Sequence, residues 1–313
     1  MRTKLLSVVG LVILMLAFVG CGASKQAVGP AEGGIKVVDD LNQTIVLKQP
    51  AKRIISLYSA HTENLIALGL EAEIIGVSPA ESDPAAKNKQ VFDYRADPEK
   101  VLAAQPDLVI IRPFIKQSYP DFVKTLEQAN IKVVCLYPEK FEEFDGYIKK
   151  LAVLTGREQQ AADQLAAFHG KLKAVADRTA KAPIKNRVYF ESTATEYRTI
   201  TPDSMPGIVL KLAGGVNAAA DAQALKTASS IAAYGSERLL MKAEEIDVFL
   251  AQRGPMNPGI TQDSIKQRPG FDKIKAVRQG KVYIVDEKLV SSPTFRLAEG
   301  IEQLAKMIYP EVF

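Results

Sequence analysis

The chain has no tryptophan, two histidines and two cysteines in 313 residues, and each scarcity excludes a chemistry. His61 and His169 are too few for the multi-histidine sites that hold bare zinc or manganese. Cys135 closes an apolar strand pattern, Ile131-Lys132-Val133-Val134-Cys135-Leu136, and reads as a buried side chain with neither a metal nor a catalytic role. The formal surplus of +4 is small for this length and comes partly from Arg2 and Lys4, so it leaves no footprint for nucleic acid. There is no Gly-rich phosphate loop, no G-x-S-x-G elbow and no His–carboxylate pair at a metal spacing. No catalytic residue, resident metal or cofactor is therefore expected.

What is present starts with a leader. Arg2 and Lys4 precede an apolar run from Leu5 to Phe18, followed by Val19-Gly20-Cys21. These are the parts of a secretory signal, and the run is short for a permanent span. A cysteine directly after small residues resembles a lipobox, although Phe18 stands where leucine is usual. Cys21 is then the diacylated mature N-terminus, anchored stably by its acyl chains. With Cys21 acylated, Cys135 has no disulfide partner. Residues 1–20 are assigned to the signal and 21–34, small and polar, to a flexible tether.

At 47% apolar and 24% charged the remainder is an ordinary folded chain, longer than one core usually serves. Its longest helical pattern runs over 157–181. Ala161, Leu165, Phe168, Leu172 and Val175 share one face, and the rod would span roughly 35 to 40 Å. On either side, short apolar runs alternate with helical patterns, which predicts parallel βαβ units in an N-terminal lobe, 35–156, and a C-terminal lobe, 182–313. The fold class is α/β: two Rossmann-like lobes with parallel sheets joined by one long interlobe helix. Asp97-Pro98-Glu99-Lys100-Val101-Leu102 parallels Ser236-Glu237-Arg238-Leu239-Leu240. Each segment places a cap residue, Asp97 or Ser236, ahead of a first-turn carboxylate, Glu99 or Glu237.

In this order, several segments resemble the substrate-binding lipoproteins of ABC importers for ferric siderophores, cobalamin and haem, the class III periplasmic binding proteins. They are Pro50-Ala51-Lys52-Arg53-Ile54-Ile55-Ser56-Leu57, Thr62-Glu63-Asn64-Leu65, Ile75-Gly76-Val77, Pro106-Asp107-Leu108-Val109-Ile110 and Ala276-Val277-Arg278-Gln279-Gly280-Lys281-Val282-Tyr283. The resemblance implies a ligand held between two lobes, a membrane permease with its ATPase as partner, and a glutamate from each lobe docking onto permease arginines. Glu99 and Glu237 fall at the matching places. It also implies an exported, lipid-anchored monomer. The competing reading is an anchored enzyme on the same lobes, for example a hydrolase.

Ligand contacts in α/β folds collect on loops leaving the C-terminal ends of strands. Those loops offer Tyr58, His61, Tyr94, Arg112, Tyr197, Arg198, Tyr234, Arg253, Met256 and Arg296. Tyrosine supplies flat area with a hydroxyl and arginine suits anions, a mixture fitting a bulky, partly anionic metal chelate. A ferric siderophore ranks first, a corrinoid second and haem third. His61 would either ligate haem iron, with Met256 or a tyrosine opposite, or hydrogen-bond a chelate.

Overall fold

The computed structural model describes residues 34–313 except Asp97, Thr227 and Ala228. The signal, Cys21 and the cap at Asp97 lie outside the described residues. The first lobe opens with a hairpin, β1 (Ile35–Val38) and β2 (Thr44–Leu47). Its turn is closed by the Asp39 carboxylate, which accepts from Leu41 N at 2.9 Å and Gln43 N at 2.8 Å. There follow β3 (Ile54–Ser56), α1 (Ser59–Ala67), β4 (Ile74–Val77), β5 (Gln90–Val91), α2 (Glu99–Ala104) and β6 (Leu108–Ile111). The lobe ends with α3 (Pro113–Ser118), α4 (Pro120–Gln128), β7 (Lys132–Cys135) and α5 (Phe144–Thr155). The sheet order is β5-β4-β3-β6-β7, all parallel. Every residue of β3 and β6 is buried, because helices cover both faces of a parallel sheet.

The joining helix, α6 (Glu158–Thr179), has 22 residues, shorter at both ends than 157–181, and spans roughly 33 Å. Ala161, Leu165, Phe168 and Val175 are buried, and Leu172 is partly buried against the same core. Phe168 packs its ring 5.1 Å from Phe144 of α5 and 6.2 Å from Phe295 of the second lobe. The apolar core is therefore continuous from Val37 through α6 to Tyr309, while each lobe keeps a separate cluster on its outer sheet face.

The second lobe departs from the expected plan. It runs β8 (Arg187–Thr193), β9 (Arg198–Ile200), α7 (Met205–Leu212), β10 (Val216–Asn217), β11 (Gln223–Ala224), β12 (Ile231–Ala233) and α8 (Ser236–Met241). Then come β13 (Val248–Arg253), α9 (Gln262–Lys266), α10 (Lys275–Arg278), β14 (Val282–Asp286), α11 (Glu287–Ser291) and α12 (Leu297–Ile308). Its sheet is mixed: β10, β13 and β14 are parallel to their neighbours, but β9, β11 and β12 pair antiparallel. The link from Thr193 to Arg198 explains this, since a parallel return needs a crossover of a dozen or more residues. The expectation of two parallel sheets holds for the first lobe alone. The expected cap at Ser236 is also corrected. Gly235, at φ 86°, is the cap residue of α8, no side chain caps it, and Ser236 is already helical.

Candidate functional site

In the first lobe the chain turns one way from β3 to β4 and the other way from β6 to β7, so strand order reverses between β3 and β6. A crevice forms where that happens, beyond the C-terminal strand ends. Tyr58 leaves β3 and Arg112 leaves β6, both half-buried. The Arg112 guanidinium lies 5.0 Å from the Tyr58 ring centroid and 5.2 Å from that of Phe114. Phe114 is 44% exposed and continues into Tyr119 at 6.2 Å, which meets Tyr94 at 5.1 Å. On the other side Tyr58 stands 6.0 Å from Tyr137. The result is one wall of five aromatic rings with a cation set into it. Burial raises the Tyr58 and Tyr137 pKa values, so both phenols stay protonated hydrogen-bond donors. Among the described residues Arg112 stacks on rings but has neither a hydrogen bond nor a carboxylate partner.

His61 is not on this wall. It is fully buried, with Nε2 3.4 Å from the Ile111 carbonyl and Nδ1 2.7 Å from the Tyr147 hydroxyl. A carbonyl only accepts, so Nε2 carries the proton and Nδ1 accepts from Tyr147. Burial drives the imidazole pKa down to about 3 against the pull of that carbonyl, and Arg112 lowers it further. An enclosed, neutral ring with both nitrogens engaged is no iron ligand, which corrects the expectation for His61. The other histidine, His169, is half-exposed on α6 and pairs with Asp145 at 2.9 Å.

The same buried network joins the lobes. Asn64 donates to Tyr147 Oη at 3.2 Å and to the Pro293 carbonyl at 2.9 Å, and its Oδ1 accepts from Phe295 N at 3.3 Å. Along the seam, Glu63 faces Arg296 at 3.9 Å and Ser82 contacts Lys288. Burial raises the pKa of Glu63, whose side chain is 8% exposed, with Arg296 and Lys288 opposing. Glu63, Glu81 and Asp83 thus lie near two cations of the second lobe. Arg296, expected as a ligand contact, is 46% exposed and shared between Glu63 and, at 3.6 Å, Glu299 of α12.

In the second lobe the corresponding reversal lies between β8 and β13, whose ends carry Tyr197, Arg253 and Met256. Tyr197 packs its ring 5.7 Å from Phe271 under Arg268. Met256 is 46% exposed. Arg198 is held by Glu196 at 2.8 Å, and Arg253 donates to the Ile260 carbonyl at 3.2 Å. Tyr234 is buried in the lobe's outer core beside α8, so it is a packing residue. The residues that the sequence reading passed over are Phe114, Tyr119 and Tyr137. Phe114 lies three residues beyond the end of β6 and Tyr137 two beyond the end of β7, where the rule that picked Tyr58 would have found them.

A depression of about 620 Å³ opens beside the hairpin and shares Tyr137 with the aromatic wall; Asp39, Asp40, Glu139, Glu143, Tyr147 and Lys150 also line it. Three of its carboxylates are already engaged: Asp39 with its turn, Asp40 with Lys150 at 2.5 Å, Glu143 with backbone N–H groups.

The profile of the family described as periplasmic binding protein matches residues 54–289, both sheets included. The chain belongs to that family. Its members are substrate-binding transport proteins, so binding and not catalysis is the business of the cleft, and the enzyme alternative falls. Among curated relatives, an uncharacterized ABC transporter substrate-binding lipoprotein, YvrC, of Bacillus subtilis is 28% identical, with 89% of this chain and 87% of that protein covered. A vitamin B12-binding protein of Vibrio parahaemolyticus is 23% identical, with 82% and 90% covered. A crystal structure described as a possible iron-binding, periplasmic solute-binding protein of Staphylococcus epidermidis superposes with a TM-score of 0.71 at 27% identity, covering 83% of this chain and all of that one.

Proposed function

We propose that the protein is the extracytoplasmic lipoprotein of an ABC importer, capturing a metal chelate between its lobes and delivering it to a membrane permease and ATPase. The observation that carries the chelate reading is Arg112, a guanidinium set between aromatic faces at a strand-order reversal with no counter-ion among the described residues. An anionic group of the ligand would complete it, while Tyr58, Phe114 and Tyr94 cover flat or apolar parts of the same molecule. That favours a ferric siderophore. A corrinoid would use the aromatic rings more than the cation, and haem comes third because His61 is enclosed. Tyr197 and Met256 would close on the ligand from the second lobe, with Arg198 and Arg253 at its edge.

Cys21 would carry the lipid that holds the protein at the outer face of the membrane, and no helix among the described residues is long and apolar enough to cross one. Glu99 and Glu237, each in the first turn of a short exposed helix of its lobe, would dock onto permease arginines. Glu99→Ala and Glu237→Ala should abolish uptake and leave ligand affinity in solution unchanged.

The deciding experiment is a thermal-shift screen of the purified chain against ferric siderophores, cobalamin and haem, since a ligand that binds only the folded state raises the midpoint by mass action. A rise with a ferric siderophore that disappears in Arg112→Ala is the expected result. No rise with any of the three classes, or an undiminished rise in Arg112→Ala, would overturn the reading.

A further inference from the structure

The helix α8 presents two faces of opposite character. On one, Arg238 and Lys242 lie four residues apart and are both folded back onto Asp221, at 2.8 and 2.7 Å. Tyr234 supports them, its ring 4.5 Å below the Arg238 guanidinium and its hydroxyl 3.3 Å from Asp221. Because Lys242 and Arg238 hydrogen-bond to it, the Asp221 carboxyl is held down at about 2, and both cations remain engaged throughout the neutral range. On the adjacent face Glu237 and Met241 also lie four residues apart, and both are exposed. Met241 is 78% exposed, more than any other large apolar side chain among the described residues. Nothing in the local packing requires a methionine there, and a lone carboxylate with an apolar neighbour, its nearby cations withdrawn, is a surface prepared for a cation flanked by apolar atoms.

We propose that Glu237 and Met241 form one docking face of the second lobe, and that its partner is a permease segment presenting a guanidinium or ammonium group beside an apolar pocket that receives the Met241 side chain. This rests on the docking role given to Glu237 above and adds the apolar half of the contact. Charge complementarity selects the cationic partner. The flexible thioether suits a pocket that must be entered and left in each transport cycle. The first lobe carries a differently shaped counterpart. On α2, Ala103 lies four residues after Glu99, and with Val91, 56% exposed on the edge strand β5, it lines a hollow of about 370 Å³. The second lobe thus offers an apolar knob where the first offers a hollow that Gln90 and Lys100 also line.

The test measures binding of the mature chain to its own permease–ATPase complex in lipid nanodiscs, with four proteins: wild type, Met241→Gln, Met241→Leu and Glu237→Ala. Burial of the methionine predicts a loss of about tenfold in affinity for Met241→Gln, and binding within about twofold of wild type for Met241→Leu. Chelate binding in solution should be unchanged in both. Wild-type binding by Met241→Gln together with weakened binding by Glu237→Ala would overturn the methionine contact and leave the glutamate reading standing. Equal losses for Met241→Gln and Met241→Leu would also overturn it, because an apolar contact tolerates leucine. Wild-type binding by Glu237→Ala would remove the docking reading itself, and the proposal with it.

Discussion

Each lobe sets an arginine among aromatic rings near the C-terminal ends of its central strands, yet the two arginines are in opposite states. Arg268, 12% exposed, is paired through both nitrogens with Glu191, which is fully buried and also accepts from Asn257 at 3.3 Å. Its rings, Tyr197 and Phe271, complete a closed structural unit. Arg112 has the rings and, among the described residues, no carboxylate. One charge is spent on holding a lobe together, and the other is left for a visitor. A residue type on a loop therefore says little about function until its counter-charge is located.

The widest separation between the two should appear in stability. Arg268→Ala leaves the Glu191 carboxylate buried and unpaired, which costs about 3 to 5 kcal/mol. For a chain of this size that lowers the unfolding midpoint by roughly 10 °C, readable by calorimetry. A loss below about 1 kcal/mol would erase the contrast. Next, Arg112→Ala should leave the midpoint of the free protein nearly unchanged while weakening chelate binding by about 10- to 100-fold in isothermal titration, as expected for a charge-assisted contact. If Arg112→Ala instead unfolds the protein, Arg112 is as structural as Arg268.

A smaller effect tests the seam between the lobes. Asn64→Ala removes the amide that holds Pro293 and Phe295 against α1, at a cost of about 2 kcal/mol. Wild-type scattering should show only a slight change in radius of gyration on ligand binding, and Asn64→Ala a larger one. The smallest effect lies behind Arg112. His61 has a folded pKa of about 3, below its ordinary value, so the unfolded chain takes up a proton that the folded chain refuses. That stability is complete above about pH 6.5 and is lost as pH falls toward 3, at about 1.4 kcal/mol per unit. Chemical denaturation from pH 7 to 5 should show this slope in wild type and not in His61→Gln. Identical slopes would mean that the ring is accessible after all.

Periodicity and punctuation made much of the fold legible beforehand. The helix predicted over 157–181 is found at Glu158–Thr179, with Ala161, Leu165, Phe168 and Val175 buried along one face as their spacing requires. The helix α5 is hard to read from sequence because Glu142, Glu143, Asp145 and Gly146 surround its first residue, Phe144, and break up the start of its apolar stripe. The antiparallel strands β9, β11 and β12 were missed because each is two or three residues long, too short for an alternating pattern to register.

The candidate site was legible in part. Tyr58, Tyr94 and Arg112 came from loop position, and the structure places them on one wall with Phe114, Tyr119 and Tyr137. His61 came from the same rule, yet it occupies the third position of α1, where the helix turns the side chain inward toward Tyr147. Tyr234 likewise precedes α8 and packs into the core.

By itself, the sequence determined that two α/β lobes flank a long amphipathic helix, because hydrophobic periodicity is a local property that each segment carries alone. It also determined which loops bear tyrosine and arginine. Only the tertiary structure decided which of those charges are used up. Glu191 reaches Arg268 across 77 residues, and Asn64 reaches Pro293 across 229. No local pattern encodes such pairings, since they depend on how packed elements bring distant side chains within hydrogen-bonding distance. The same packing set Arg112 between Tyr58 and Phe114 with no carboxylate beside it among the described residues.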